Sequence, residues 1–172
     1  MPTPWFYSNL ISQHAEVSVH IPWNGESNGY LALKRDDGTV LTTSKTLVHI
    51  ANPTVNDIKN KTNFLYLTDF RIIHMPSIIS GVEIEISMGR GGRITDETIQ
   101  LMHGNEFIGE NRAFYKLDEI TLYGGPTDVY GTTLTPELLS DPTFGVGVRY
   151  QSHPMWPHRE IPRIDYIRLR VW

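Results

Sequence analysis

The sequence predicts an all-β protein: an antiparallel β-sandwich, jelly-roll-like, with an extended N-terminal segment. Three observations carry this. Apolar residues recur at every second position in several stretches, Gly, Pro, Asn and Asp break the chain at short intervals, and a helical period is nearly missing.

Residues 1–41 are expected to hold about three strands, one of them 16–21 and two forming a hairpin. In that hairpin Asp36-Asp37-Gly38-Thr39 joins Tyr30-Leu31-Ala32-Leu33 to Val40-Leu41, and Asp-Gly is the stronger kind of hairpin turn. Residues 42–62 are polar with no clean alternation and read as an extended connection or arm. The composition shift near residue 62 divides the chain into an N-terminal hairpin and arm, 1–62, and a β-sandwich domain, 63–172.

Phe64-Leu65-Tyr66-Leu67 is apolar on both parities, as in a strand covered on both faces. Val82, Ile84, Ile86 and Met88 alternate with Glu83, Glu85 and Ser87, which places the carboxylates on the face away from the core. His103-Gly104-Asn105-Glu106 links 99–102 to Phe107-Ile108, and Tyr123-Gly124-Gly125-Pro126-Thr127-Asp128 is a further sharp turn. The one helical turn expected is 135–139: Thr135 as N-cap, Pro136 at the first helical position, and Glu137 near the positive end of the dipole. Phe144, Val146, Val148 and Tyr150 alternate with Gly145, Gly147 and Arg149, and Ile167, Leu169 and Val171 with Arg168 and Arg170. Asp165 breaks the last pattern by sharing the apolar parity, so either a bulge turns it out or it ties down a neighbouring loop.

Composition narrows function. With 172 residues the chain can stand on its own core. The absence of cysteine excludes a disulfide scaffold, an iron–sulfur cluster, a thiolate zinc site and a thiol nucleophile. Fifteen basic against 19 acidic side chains give a net charge of -4, which argues against bulk binding to nucleic acid or an anionic membrane. Met1-Pro2-Thr3-Pro4-Trp5 has no basic n-region and no apolar h-region after it, and no run approaches the ~20 residues of a bilayer span, so a soluble protein made in a cytoplasm is expected.

No motif for catalysis stands out. Met88-Gly89-Arg90-Gly91-Gly92-Arg93 has the glycines and arginines of an anion cradle but lacks the Lys-Ser/Thr of a phosphate loop, so a loop between strands is the simpler reading. His153 and His158 lie five apart across two prolines with only Glu160 nearby, short of a metal-ligand set. Asp96, Glu97, Glu106 and Glu110 are candidates for a glycosidase carboxylate pair, though solvated strand charges account for them better. Asp128 beside Gly124-Gly125 is a weak calcium candidate. No cofactor and no metal is expected.

Residues 64–172 carry a series of pieces in order. Leu67, Phe70, Ile72 and Met75-Pro76 precede Ser80-Gly81-Val82-Glu83-Ile84-Glu85-Ile86; Ile94, Asp96, Ile99 and Leu101 follow. Then come Gly109-Glu110-Asn111-Arg112-Ala113 and the most specific piece, Tyr123-Gly124-Gly125-Pro126-Thr127-Asp128-Val129-Tyr130-Gly131. Leu134-Thr135-Pro136, Phe144-Gly145-Val146 and the closing Ile164-Asp165-Tyr166-Ile167-Arg168-Leu169-Arg170-Val171-Trp172 complete the series. This order resembles a β-sandwich domain of tailed-phage virion structural proteins, in which the central piece usually ends Asp-Leu-Trp-Gly where this chain has Asp128-Val129-Tyr130-Gly131.

The resemblance implies a non-enzymatic virion component: a capsid decoration or cement protein, a head fibre, or a module of a tail fibre or baseplate. It implies as partner a major capsid protein or another virion protein, a homo-oligomer, with a trimer in keeping with capsid symmetry axes, and location in the virion after assembly in the host cytoplasm. The alternative it leaves open is a receptor- or glycan-binding module of a tail appendage, with Tyr123, Tyr130 and Trp156 as aromatic contacts. Under either reading the expected partner-binding residues are Trp5, Phe6, Tyr7, Trp23, Arg90, Arg93, Tyr130 and Trp156. Residues 1–41 are expected to carry attachment and to be dispensable for folding.

Overall fold

The computed structural model describes residues 1–15, 21–24, 33, 40–44, 47–48, 61–88, 94–114, 119–152 and 159–172. The expected strand at 16–21 except Ile21, the Asp-Gly turn at 36–39 and most of the arm at 42–62 lie outside the described residues.

Period-2 patterning determines which face of each strand is buried. In β5 (Val82–Met88) Val82, Ile84 and Ile86 are fully buried, and in β11 (Arg163–Val171) so are Ile167, Leu169 and Val171. These two pair antiparallel between β2 (Leu41–Thr42) and β8 (Ile120–Gly124), giving a four-stranded sheet in the order β2-β11-β5-β8. The opposing sheet has five strands, β1-β4-β9-β6-β7: β1 (Leu10–His14), β4 (Phe64–Thr68), β9 (Phe144–Ser152), β6 (Ile94–His103) and β7 (Glu106–Ile108). A two-stranded ribbon joins β3 (Leu47–Val48) to β10 (Arg159–Glu160). All pairings between these strands are antiparallel. The inner faces of the two main sheets share one core, with Leu65, Leu67, Ile99, Leu101, Phe144, Val146 and Val148 supplied by the five-stranded side. This is the all-β sandwich that the alternation predicts.

Several local expectations that fall on described residues are met, whereas Leu33, expected in a strand, sits in a 3₁₀ turn, and Ile21 makes only an isolated parallel bridge to Thr62. Gly104 and Asn105 both adopt positive φ, 60° and 69°, in the two-residue turn of the β6–β7 hairpin. The one helix among the described residues, α1 (Pro136–Ser140), has Pro136 at its start, and the Thr135 hydroxyl accepts from the Leu138 N–H at 3.2 Å. The odd parity of Asp165 is a bulge: the β11–β5 register slips between Ile164 and Tyr166, so Ile164 and Ile167 both face inward.

Packing does not stop at residue 62. The Thr3 N–H donates to the Val171 carbonyl at 2.8 Å, the Phe6 N–H to that of Leu169 at 2.7 Å, and the Leu169 N–H back to that of Phe6 at 2.9 Å. Residues 3–6 thus form a strap along the β11 edge of one sheet, while β1 pairs with β4 at the edge of the other. Trp23, Leu33 and Leu41 lie inside the common core at 3%, 1% and 1% exposure. The described residues of 1–62 therefore share the sheets and core of 63–172.

Candidate interaction surface

The outer face of the four-stranded sheet is the most organised surface among the described residues. Burial of alternate positions in β5 and β11 sends Glu83, Glu85, Arg168 and Arg170 to the opposite face, and the register sets Arg168 across from Glu85 and Arg170 across from Glu83. Both pairs close as ion pairs, with the Arg170 Nε donating to Glu83 Oε1 at 2.7 Å. Tyr166, on this face because of the Asp165 bulge, donates its hydroxyl to Glu85 Oε1 at 2.7 Å.

Aromatic rings interleave with the arginines. The Arg170 guanidinium lies 4.4 Å from the Trp5 ring centroid and 5.0 Å from that of Trp172; Arg168 lies 4.9 Å from Trp5 and 4.8 Å from Tyr166. The resulting stack runs Tyr166, Arg168, Trp5, Arg170, Trp172, with the two carboxylates fixing the cations in place. Each such contact contributes about 0.5–1 kcal/mol at a partly exposed site. The stack anchors the strap to the sheet from its outer side. Beyond β5, on the same face, Ile120 and Leu122 of β8 are 55% and 50% exposed.

Around the rim of this sheet the Tyr-Gly-Gly segment forms a second fixed structure. Both oxygens of Asp128 accept from Arg112, at 2.8 Å to Nε and 2.7 Å to Nη2, and Oδ1 also accepts from the Tyr130 N–H at 2.8 Å. The Arg112 hydrogen bonds hold the Asp128 carboxyl below its ordinary value. Tyr130, at φ 56°, is fully buried, and its hydroxyl donates to the Tyr123 carbonyl at 3.1 Å. The Glu110 N–H donates to the Tyr130 carbonyl at 2.7 Å, and Gly109 has φ 66° where a Cβ would collide with that same carbonyl. Asn111 then reads the β6 bulge at Glu97: its Oδ1 accepts from the Ile99 N–H and its Nδ2 donates to the Glu97 carbonyl, both at 2.9 Å.

The expected site residues separate into three groups. Trp5 and Phe6 are half-buried in the strap, and Tyr7 is half-buried just after it. Trp5 is in the stack, Phe6 packs on the core, and Tyr7 hydrogen-bonds Arg168. Trp23 and Tyr130, expected as contact residues, are corrected to core residues at 3% and 0% exposure, and Tyr123 at 3% is likewise closed to a glycan. Arg90, Arg93 and Trp156, together with His153 and His158, lie outside the described residues.

The carboxylate candidates do not converge. Asp96 is 1% exposed and accepts the Phe114 N–H; Glu97 binds Arg149 and Lys61; Glu110 binds Arg112; and Glu106 is exposed on the β6–β7 hairpin. Asp128 has both oxygens bonded to the Arg112 guanidinium, whose positive charge opposes a cation beside it. Among the described residues no group of three or more His, Cys, Asp or Glu is placed to hold a metal, and no helix is long and apolar enough to cross a membrane.

Sequence reading missed Arg168, Arg170, Glu83, Glu85, Tyr166 and Trp172 as one surface. Their outward parity was visible, but the strand register that aligns them was not. The fold and this surface define an all-β sandwich with a stapled aromatic–arginine outer face. No protein-family model matches the chain, and no curated protein matches it.

Proposed function

We propose that the protein is a non-enzymatic structural subunit of a tailed-phage virion, one that decorates or cements the capsid by binding across its subunits. The observation that carries the reading is the lock between Gly109-Glu110-Asn111-Arg112-Ala113 and the Tyr123–Gly131 segment. These two pieces, the second of them the most specific part of the resemblance, are bound to each other through Arg112–Asp128 and the Glu110 N–H to the Tyr130 carbonyl, with their polar groups committed to architecture. A domain whose distinctive residues build a rigid scaffold suits a protein that works by contact. The aromatic–arginine face, with Ile120 and Leu122 beside it, offers the apolar and planar groups that protein interfaces favour. On a symmetric lattice many identical weak contacts add by multivalency.

Quantitative mass spectrometry of particles purified from a lysate in which the chain is made tests the reading. Copies on the order of hundreds per particle fit a head decoration protein, and a few dozen or fewer relocate it to the tail. A chain that stays in the soluble fraction with no particle-bound copies refutes the reading.

A further inference from the structure

Among the described residues, strand β8 is a sheet edge with no charge, proline or bulge within it. Edge strands of monomeric proteins carry a charge, a proline or a bulge, or are kept very short. The β11 side of this sheet is covered by the strap and β2, and β7 in the other sheet is short and begins with Glu106. In contrast, β8 reads Ile120-Thr121-Leu122-Tyr123-Gly124, uncharged and proline-free, in unbroken register with β5 from Ser87↔Ile120 to Glu83↔Gly124.

Its hydrogen-bond phase is determined at both ends. The Met88 N–H donates to the Glu119 carbonyl at 2.7 Å, and the Gly125 N–H to that of Val82 at 3.0 Å. By antiparallel alternation Thr121 and Tyr123 therefore turn their main-chain groups to β5, and Ile120, Leu122 and Gly124 turn theirs to the open side. The same strand shows two half-exposed aliphatic side chains on its outer face. The nearest charges on that face, Glu83 and Glu85, are already neutralised by Arg170 and Arg168, so among the described residues the outer face beside β8 sets no unpaired charge against a second copy.

We infer that β8 pairs antiparallel with β8 of a second copy about a two-fold axis through Leu122, extending the four-stranded sheet across a dimer. In this register Leu122 faces its own copy and Ile120 faces Gly124, so every main-chain group on the open side finds a partner. The glycine leaves room for the isoleucine, and the two leucines meet on the outer face. Such an isologous contact is self-complementary by symmetry.

The chain has no cysteine, so Leu122→Cys introduces a single thiol at the axis. A hydrogen-bonded antiparallel pair sets its Cα atoms ~5.5 Å apart, within disulfide reach. Analytical ultracentrifugation of the full chain is expected to show a concentration-dependent dimer. Under mild oxidation Leu122→Cys is expected to cross-link about tenfold faster or more than Ile78→Cys, a control at an 80% exposed residue. Leu122→Lys is expected to raise the dimer dissociation constant about tenfold or more, since it sets like charges face to face, while leaving unchanged the melting temperature measured at concentrations where both proteins are monomeric. A monomer throughout the concentration range, equal cross-linking of the two cysteine variants, or an assembly of any order that survives Leu122→Lys overturns the inference. Dimerisation belongs to the purified chain, so its failure is separable from the outcome of the particle count.

Discussion

Asp128 shows how much one side chain can hold. It receives two hydrogen bonds from Arg112 and one from the Tyr130 main chain, and Tyr130 needs that support because it sits in the left-handed region. Asp128→Ala leaves the Arg112 Nε and Nη2 groups and the Tyr130 N–H without their acceptor, though Glu110 still holds Nη1, and the expected loss of unfolding free energy is about 1–3 kcal/mol, measured by urea denaturation. Glu97 sets the acid limit. Burial alone would raise its carboxyl, but hydrogen bonds from Arg149 and Thr98 and the charges of Arg149 and Lys61 outweigh burial and hold it down to about 2, from an ordinary 4.5. A carboxyl lowered on folding stabilises above its unfolded value, and that stabilisation disappears as pH falls through the folded value. Stability is therefore expected to fall between pH 4.5 and pH 2 by about 1–2 kcal/mol from this group, the partly exposed ion pair being screened by solvent. Glu97→Gln should be less stable than the parent at pH 7 and should converge with it near pH 2, in melting curves taken across that range. An unchanged pH slope in the variant would remove Glu97 from the account.

Strands are spaced by what their glycines leave out. Gly145 and Gly147 both lie on the outer face of β9, but an added Cβ meets different obstacles. At Gly145 it falls on the Leu67 carbonyl of the neighbouring strand, which is main chain and cannot move without breaking the β4–β9 pairing. At Gly147 it falls on the Phe107 ring, a side chain that can rotate away. Gly145→Ala is expected to destabilise by about 3 kcal/mol or more and Gly147→Ala by about 1–2 kcal/mol, compared by chemical denaturation. The reverse order would mean that the ring is the stiffer obstacle. The strap answers to its own test. Trp5→Ala removes the centre of the Arg168–Arg170 stack, and hydrogen exchange at the Phe6 and Leu169 amides, which bond each other's carbonyls, is expected to speed up before that of the β5–β11 ladder.

At the scale of the molecule, the described residues of the first third of the chain are part of the sandwich. Removing residues 1–41 takes away the strap, β1, and the buried Trp23, Leu33 and Leu41. Each large core side chain contributes about 2–5 kcal/mol against a total stability of about 5–15 kcal/mol. The truncated chain is therefore expected to lose its cooperative thermal transition and to bind ANS. This revises the expectation that 1–41 is dispensable for folding. A truncated protein with a sharp melt near that of the full chain would restore it.

Strand identity, the Gly104-Asn105 turn, the Thr135 cap and the irregularity at Asp165 were legible because each depends on local chemistry: parity, permitted φ, and a hydroxyl three residues from an N–H. The Trp23 position was not legible, since a tryptophan in a polar stretch gives no sign of whether a distant sheet will cover it. The same holds for Tyr130, which looks like a surface aromatic in a loop until its turn folds it under Gly124. By itself the sequence determined the all-β class, the strand faces and the turn chemistry, all of which follow from interactions within a few residues. Only the tertiary structure decided that Arg168 and Arg170 meet Glu85, Glu83 and a tryptophan from the other end of the chain, because long-range strand register is set by the packing of the whole core.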